Sequence, residues 1–410
     1  MILAAALTAG LTVHAKDEFA WRNLDSDLHG VTADVDQNLE NVWGIVPGEE
    51  GRTFWVANEA SGTVTRYDDN GSPFQLKVGT SFGTQVVTIP PATVPVGQGG
   101  TGGTPTGIVF NHAGFGANNA AEFVINGHPS HWLAVTEDGA VVGYNTAADA
   151  TAFTSSALVG AKTVGAFYTG CTLAFTTAAT PVHELFAANF AAGTVDVFDN
   201  TFAPVTGGSG FFVDPNPVVG YKPYNVKRYA TRDPLTKKIL RVILVAYALN
   251  DGTNHVTFGA GAGYVNVFQT DGTYVGRLVA QAASNTGFSI NAPWGMAIDR
   301  KGPKQADDLL LVANHGNGTI LTYSLNGVFA ATSGTPLSPV PTLGALQRAD
   351  GEGALQFEQL RGIHFGLKPE TAKTFSSDED ELDDGDGTLL FTADLTDNAH
   401  GLVGRIFRAP

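Results

Sequence analysis

One phrase recurs six times along the 410-residue chain, and it constrains the fold more than any other feature of the sequence. Each copy opens with an apolar strand built around a glycine, or around an asparagine in the fourth copy. The openings are residues 42–45, 105–108, 168–171, 223–226, 293–296 and 360–363. They are spaced about 64 residues apart, against roughly 40–50 in compact propeller repeats. The extra residues of each unit are therefore expected in loops.

Two further strands follow each opening. The second is apolar with a polar or aromatic end, and its last residues are Asn58, Glu137, Asn189, Tyr247, Asn314 and Asp394. A turn leads into a third strand with the alternation of a half-buried strand, as in GTVTRYD and GTVDVFD. With a weaker fourth strand, six such units predict an all-β fold, a six-bladed β-propeller of four-stranded antiparallel blades. Residues 16–410 then form a single domain.

The sixth unit stops after its third strand, at residues 404–408. Its fourth strand must come from elsewhere, because an open sheet edge invites pairing with other chains. We expect residues 19–25 (FAWRNLD) to supply this strand and so to close the ring.

Composition excludes several other classes of protein. Fifty glycines without a G-x-y period, and only 15% charged residues, exclude collagen, coiled coils and a mainly disordered chain. The formal charge of −16 repels a phosphate backbone, so no nucleic acid partner is expected. The single cysteine, Cys171, excludes an intramolecular disulfide framework and is interpreted as a buried, inert thiol.

The chain begins with an apolar segment, residues 1–15, that ends in Val13-His14-Ala15. This ending fits a signal-peptidase site, although the basic residues that open a signal peptide are absent. No later segment has about 18 uninterrupted apolar residues, so no transmembrane helix is predicted. The expected location is secreted, periplasmic or at the cell surface.

An ordered series of motifs runs through the repeats. It includes NVWGI, FWVAN, PTGIVFN, LFAANFAAGTVDVFDN, KPYNVK, NAPWGMA and DNAHGLVG. Over residues 19–408 the chain resembles a family of exported bacterial NHL-like six-bladed β-propellers of unassigned function, some of which carry a C-terminal PEP-CTERM sorting signal. This chain ends at Pro410 without that tail, and residues 360–364 read LRGIH where the family more often has LWGLA. The resemblance implies a propeller and an exported protein, and the second departure marks Arg361 and His364 as candidates for a specialised site.

Two rings of side chains are expected at one mouth of the propeller. In this fold the starts of the inner strands and the ends of the second strands lie on the same face. The residues just before the repeated glycine or asparagine form one ring, namely Trp43, Thr106, Thr169, Tyr224, Trp294 and Arg361. The ends of the second strands form the other ring. From them we predict a ligand site of Trp43, Tyr224, Trp294, Arg361, Asn58, Asn189, Tyr247 and Asn314.

Indole rings beside a guanidinium suit a planar or sugar-like ligand. The alternative interpretation is structural: the tryptophans fill gaps between blades, and the asparagines satisfy their own turns.

Five residues are candidates for catalysis: Glu137, Asp394, Arg361, His364 and His315. A carboxylate beside a histidine or an arginine can act as a general base. His364 lies two residues beyond Gly362 on the predicted inner strand, and strand alternation leaves open whether it faces the channel or the blade. No nucleophile-elbow, P-loop or HExxH motif occurs in the chain.

An acidic run spans residues 378–387 in the sixth unit. Its oxygen ligands suit Ca²⁺, with Asp380, Asp383, Asp384 and Asp386 as the candidate ligands, although the spacing does not match an EF-hand. The alternative is a solvated acidic insertion without an ion. Two other insertions, residues 90–104 and 250–263, are candidate lids over the mouth or plain connectors.

Three functions are compatible with these observations. The favoured one is an extracellular or periplasmic non-catalytic propeller that binds a protein or a carbohydrate-like ligand through its mouth and enlarged loops. The alternative is an enzyme of the lactonase, hydrolase or lyase type acting on a carbohydrate-like substrate, with or without a metal ion. The third is a structural component of an extracellular assembly, in which the protein would form oligomers.

Overall fold

Six small antiparallel sheets arranged in a ring make up the molecule. The computed structural model describes residues 18–48, 52–111, 121–176, 182–232, 239–281, 288–300, 308–366, 388–396 and 398–409. The inner strand of each sheet contacts the inner strands of the sheets before and after it, and the sixth contacts the first. This closed ring is the six-bladed β-propeller predicted from the repeats.

Each blade has an inner, a second, a third and an outer strand, in that order along the sheet. In blade one these are Val42–Pro47, Thr53–Asn58, Thr63–Asp68 and Val86–Thr88. In blade two they are Pro105–Phe110, Trp132–Thr136, Ala140–Tyr144 and Leu158–Lys162. In blade three they are Tyr168–Phe175, His183–Asn189, Thr194–Phe198 and Pro204–Val205.

Blades four to six follow the same order. Blade four contains Tyr221–Arg232, Ile239–Asn250, Tyr264–Gln269 and Tyr274–Val279. Blade five contains Pro293–Asp299, Leu309–Asn314, Ile320–Ser324 and Gly344–Ala345. Blade six contains Leu360–Phe365, Leu389–Leu395, His400–Arg408 and, as its outer strand, Glu18–Ser26.

Short elements decorate this framework. They comprise the hairpins Gln75–Val78 with Ser81–Thr84 and Val124–Ile125 with His128–Pro129, the strands Asp34–Val35, Thr154–Ser156, Val256–Thr257 and Gln347–Arg348, and the helices Thr146–Asp149 and Val328–Thr332. Three of these strands extend an outer edge in parallel. Thr154–Ser156 pairs with Val86–Thr88, while Gln347–Arg348 pairs with the start of Glu18–Ser26 and Asp34–Val35 with its end. Chain from a neighbouring blade thus covers these edges, which protects them from pairing with other molecules.

The N-terminal strand closes the ring, as predicted. Glu18–Ser26 runs antiparallel to His400–Arg408, from the pair Phe19 and Arg408 to the pair Ser26 and Leu402. Residues 1–15, the apolar segment, lie outside the described residues.

The hydrophobic core lies between blades rather than inside one sheet. Trp55 of blade one packs against Trp132 of blade two with ring centroids 5.8 Å apart, and both indoles are buried. Cys171 is buried in the cluster between blades two and three, and burial raises the pKa of its thiol, as expected for an inert cysteine.

The repeated glycine has a steric role at the centre of the ring. A Cβ atom built on each of these glycines would lie closer to an atom of the next inner strand than real Cβ atoms come. The distances are 2.8 Å from Gly44 to Thr106 O, 2.5 Å from Gly107 to Cys171 N, 2.0 Å from Gly170 to Asn225 Oδ1, 2.2 Å from Gly295 to Arg361 O and 2.5 Å from Gly362 to Trp43 O. We call this set the glycine ring. In blade four Asn225 replaces the glycine, and its side-chain amide donates to the Trp294 carbonyl at 2.7 Å.

We predict that Gly362→Ala lowers the free energy of unfolding by about 1–3 kcal/mol, because the added methyl group overpacks the joint between blades six and one. Gly208→Ala is the matched control, since nothing lies within 4 Å of a Cβ built on Gly208. Urea denaturation followed by tryptophan fluorescence measures both. Equal midpoints for the two variants would contradict the steric role of the glycine ring.

A buried carboxyl group sits in the closing strand. Asp25 is fully buried, one oxygen accepts from the Ser26 amide at 2.7 Å, and the other has no hydrogen-bond partner. Burial raises the pKa of Asp25 to about 7, and the charges of Asp36 and Asp34 add to this effect. The neutral acid therefore stabilises the fold at low pH, and this contribution is lost as the pH rises through about 7.

We expect Asp25→Asn to gain stability relative to the wild type between pH 5 and pH 8, by about 1–3 kcal/mol at the upper end. Asp69→Asn, the same substitution at an exposed aspartate, is the matched control. Urea midpoints at several pH values test this. A difference between Asp25→Asn and wild type that is constant with pH would show that Asp25 does not titrate in this range.

Candidate functional site

One face of the propeller collects the predicted site residues. The first residues of the inner strands pair with the last residues of the second strands, as Val42 does with Asn58 and Pro293 with Asn314. We call this face the axial mouth. The residues of both predicted rings lie at these strand ends, but their side chains make different contacts.

Four aromatic side chains fill the channel just below the mouth. They are Trp43, Phe190, Tyr224 and Trp294, here called the aromatic plug, and each is at most 5% exposed. Trp43 meets Trp294 edge to face with centroids 5.6 Å apart, and it contacts Tyr224 at 6.2 Å. The Trp294 indole donates to the Thr169 carbonyl at 2.7 Å. Three of the four aromatic residues predicted to bind a ligand thus pack on one another.

Arg361 lies over the aromatic plug and is buried. Its guanidinium is 4.1 Å from the centre of the Trp43 ring and pairs with the Asp394 carboxylate at 2.5 Å. It also donates to the side-chain oxygens of Asn41 and, at 2.8 Å, Asn398. The other Asp394 oxygen accepts from the Val42 amide at 2.7 Å. The predicted pair of a carboxylate and an arginine is therefore present as a buried ion pair.

Two opposing effects act on the pKa of Asp394. Burial raises the pKa of this carboxyl group to about 7, while Arg361 and the Val42 amide act to lower it. Because both charges are out of water, the pair depends on its exact geometry.

A second carboxyl pair stands beside this ion pair and is only half-buried. The second strand of blade two ends at Thr136, one residue earlier than predicted, so Glu137 lies in the turn that follows it. Glu59 directly follows the second strand of blade one, and the two glutamates therefore occupy equivalent positions. Asn41 donates to Glu59 at 2.5 Å. Burial raises the pKa of Glu137 to about 8, and the neighbouring Glu59 and the charge of Asp138 add to this effect, while Arg361 opposes it. The Glu137 carboxyl group is therefore mostly protonated at neutral pH.

His315 joins the mouth to the aromatic plug. The Tyr224 hydroxyl donates to its Nδ1 at 3.1 Å, and its Nε2 lies 3.3 Å from the Gln359 side-chain oxygen. Burial, together with the nearby Arg361 charge, holds the pKa of His315 well below its usual range. A neutral imidazole in this position orders its neighbours.

The asparagines at the ends of the second strands, here called the asparagine ring, stabilise the adjacent turns. Asn58 donates to Thr63 and Thr65, Asn189 accepts from the Ala192 amide, and Asn314 donates to the Ser289 carbonyl. These asparagines are buried, which agrees with the alternative that they satisfy their own turns. Tyr247, in the same ring, stacks on Tyr264 with centroids 4.5 Å apart, in the core between blades three and four.

His364 lies away from the other candidates. It is three residues beyond Arg361 on the inner strand, about 10 Å toward the opposite end of the channel at the usual rise per residue. Its side chain is half-buried, and its Nδ1 is 2.7 Å from the Phe365 carbonyl oxygen. The structure therefore does not bring His364 together with Glu137, Asp394, Arg361 and His315.

The proposed calcium ligands Asp380, Asp383, Asp384 and Asp386 lie outside the described residues. Within the ranges that the structure describes, no group of three or more His, Cys, Asp or Glu side chains is arranged to hold a metal ion.

The two insertions behave differently. Residues 97–99 run along the outer strand of blade two, where the Gly97 amide donates to the Val159 carbonyl at 2.7 Å, so this part of the loop does not cover the channel. In the other insertion Val256–Thr257 pairs with the end of the second strand of blade four, and Phe258 packs edge to face on His315 at 4.9 Å. This second insertion forms one wall of the axial mouth.

Sequence reasoning missed Asn41, Gln359 and Asn398 as members of this cluster, and it placed Glu59 next to the second ring without making it a candidate. Glu59 follows Asn58 directly, so the residue after each strand end was the available signal. Asn41 and Asn398 have φ angles of 50° and 66°, and asparagine tolerates this left-handed region better than most residues.

Comparison with known proteins gives relatives without an assigned role. No family model matches the chain. An uncharacterised protein of Acanthamoeba polyphaga mimivirus is 26% identical over 390 residues, covering 93% of this chain and 78% of the relative. A second uncharacterised protein of the same virus is 26% identical over 333 residues, covering 77% of this chain and 75% of the relative. These relatives are giant-virus proteins, whereas the sequence motifs resemble a bacterial family.

Solved structures with a similar course of the chain have diverse names. They include a streptogramin B lyase (TM-score 0.43, 10% identity, 95% of this chain and 98% of that one) and a calcium-binding regucalcin from Agrobacterium tumefaciens (0.46, 11%, 97% and 96%). A glucose dehydrogenase is similar at a TM-score of 0.46 and 13% identity, covering 95% of this chain and all of that one.

Among the residues with described positions, no helix is long and apolar enough to cross a membrane.

We predict that Arg361→Gln lowers the free energy of unfolding by about 3–5 kcal/mol, because it leaves the buried Asp394 without its partner. The double variant Arg361→Gln with Asp394→Asn should recover part of this loss. The same substitution at the exposed pair, Arg348→Gln, should leave the urea midpoint nearly unchanged. No recovery in the double variant would show that Arg361 stabilises the fold through contacts other than the ion pair.

Proposed function

We propose that this propeller is an exported, non-catalytic binding protein that takes a protein or carbohydrate-like ligand at its axial mouth. The observation that carries the proposal is the pair of neighbouring glutamates, Glu59 and Glu137, which is half-buried at the mouth directly above the aromatic plug. A few convergent polar side chains are typical of ligand-binding sites.

The aromatic plug supports a ligand that binds at the mouth rather than one that passes through the ring. The two terminal nitrogens of Arg361 donate to Asp394 and Asn398, while its Nε has no hydrogen-bond partner among the described residues. His315 contacts Tyr224 and Gln359, and these contacts fix the floor of the mouth. A preorganised floor lowers the entropic cost of binding.

Export is supported by the resemblance to the exported bacterial family and by the apolar residues 1–15 with their Val13-His14-Ala15 ending. It forms part of the proposal together with the extracellular or periplasmic location.

One observation favours an enzyme as the second candidate function. With a pKa of about 8, Glu137 is mostly protonated at pH 7 and can donate a proton to a leaving group, as in a hydrolase or lyase. Turnover would then fall as the pH rises through about 8 and would be lost in Glu137→Gln.

A thermal-shift screen against oligosaccharides and peptides tests the proposal. We expect some compounds to raise the melting temperature of the wild type, and the double variant Glu59→Gln with Glu137→Gln to lose that shift. Glu184→Gln is the matched control. Glu184 is also a half-buried glutamate whose pKa is raised by burial, but it lies near the start of the second strand of blade three, away from the mouth.

Each active compound is then incubated with the protein and followed by mass spectrometry. An unchanged compound agrees with binding, and a product would favour the enzyme. Ligand shifts that the double variant retains would place the binding site away from the axial mouth and overturn the proposal.

A further inference from the structure

The turn between the second and third strands of blade five carries the tripeptide Asn317-Gly318-Thr319. This is the Asn-x-Ser/Thr pattern to which N-linked oligosaccharides are attached in secreted proteins. The pattern occurs twice in the chain, here and at Asn70-Gly71-Ser72. Because so short a pattern also arises by chance, the structural setting of each copy decides whether it is an acceptor.

The fold itself requires the last two residues of the blade-five tripeptide. Gly318 has a φ angle of 68°, and a Cβ atom built on it would clash with the Phe357 carbonyl oxygen. Thr319 is buried, and its hydroxyl group donates to the Asn317 side-chain oxygen at 2.9 Å. Glycine followed by threonine also opens the third strands of blades one and three. Gly318 and Thr319 are therefore parts of the blade repeat.

The first residue of the tripeptide is not fixed by the fold, because the equivalent residue is Ser61 in blade one and Ala192 in blade three. Asn317 is exposed, and its side-chain oxygen accepts the hydrogen bonds of the turn from Thr319. In the part of the chain that the structure describes, its side-chain nitrogen, Nδ2, donates to no other group. The nitrogen that would carry a sugar is thus free, and replacing one of its hydrogens breaks no contact.

The second copy of the pattern has different hydrogen bonds. The side-chain nitrogen of Asn70 donates to the Asp69 carboxylate at 3.2 Å, and the Ser72 hydroxyl group donates to Asp34 at 2.9 Å. Pro73 follows Ser72 directly and restricts its backbone. This copy therefore lacks both the free nitrogen and the hydroxyl bonded to the asparagine that distinguish the copy in blade five.

We propose that Asn317 is an attachment site for an N-linked oligosaccharide. In the transfer, Nδ2 attacks the first sugar carbon of an oligosaccharide that is carried on a lipid pyrophosphate. The bond from that carbon to the pyrophosphate oxygen breaks, Nδ2 gives up a proton to the transferring enzyme, and the lipid pyrophosphate leaves. This inference rests on the proposed export of the protein, but it does not depend on ligand binding at the axial mouth.

The attached oligosaccharide would stand at the rim of the axial mouth. Backbone hydrogen bonds from Gly318 to Asn314 at 2.8 Å and from Gly316 to Asn291 at 3.1 Å fix the turn, so the sugar has a rigid base. Glu137 lies across the ring, in blade two. A bulky, hydrated oligosaccharide would shield the blade-five side of the mouth from large partners and leave the glutamates accessible.

Secretion of the full chain from eukaryotic cells, behind an added leader of known efficiency, tests the inference. We expect intact-mass spectrometry to show one oligosaccharide, which peptide N-glycosidase removes and Asn317→Ser abolishes. That variant has the residue that blade one has at the equivalent position, so it should keep the urea midpoint of the deglycosylated wild type. Asn70→Ser is the matched control and should keep the oligosaccharide. A wild type without a sugar, or a sugar lost in Asn70→Ser and kept in Asn317→Ser, would overturn the assignment.

A gain-of-site variant tests the structural argument. Ala192→Asn completes the same pattern in the equivalent, exposed turn of blade three, and we expect it to carry a second oligosaccharide. Its absence would show that this turn does not admit a sugar and would contradict the argument for Asn317. Failure of the site and failure of export are distinguishable, because the added leader secretes the chain in either case. Secretion with residues 1–15 as the only leader tests the proposed export by itself.

Discussion

The glycine ring is the contact on which the rest of the structure depends. At the centre of a propeller the inner strands converge, and here the five repeated glycines lie so close to the next inner strand that a Cβ atom on any of them would clash. This approach makes the channel narrow. The side chains one position before the glycines then meet across the axis, and for that reason Trp43 and Trp294 contact each other instead of lining an open passage.

A narrow channel closed by aromatic rings also organises the electrostatics above it. Arg361 rests on the Trp43 ring and is held by Asp394, Asn41 and Asn398, in a place where water cannot screen its charge. The Arg361 charge acts to lower the pKa of the neighbouring Glu137. It does not neutralise the two glutamates, because Arg361 is already paired with Asp394. The mouth thus combines a buried ion pair in its floor with two half-buried glutamates above it.

Repeats in the sequence were sufficient to predict the six blades, because each blade depends on local strand patterning. They were also sufficient to predict the closing strand, because the sixth unit has only three strands of its own. They also brought Glu137, Asp394, Arg361 and His315 to one face through equivalent positions. They did not distinguish packing from binding for Trp43 and Trp294, since this depends on the channel width. They placed His364 correctly on the inner strand without indicating its distance from Arg361. They placed Glu59 next to the second ring without making it a candidate, because Glu137 was aligned with Asn58. The two strands end at Thr136 and Asn58, so the equivalent of Glu137 is Glu59.

The pairing of Glu18–Ser26 with His400–Arg408 has a consequence for folding of the protein during its synthesis on the ribosome. The strand that completes blade six emerges early, yet its partner emerges only when almost all the chain has been synthesised. Loop closure over such a separation comes late in folding and contributes to a high contact order. Until Glu18–Ser26 has paired with it, His400–Arg408 has an open edge. A second nascent chain on the same messenger RNA could pair its own Glu18–Ser26 strand with that edge. Exchange of this strand between two molecules is therefore the misassembly to which this architecture is most exposed.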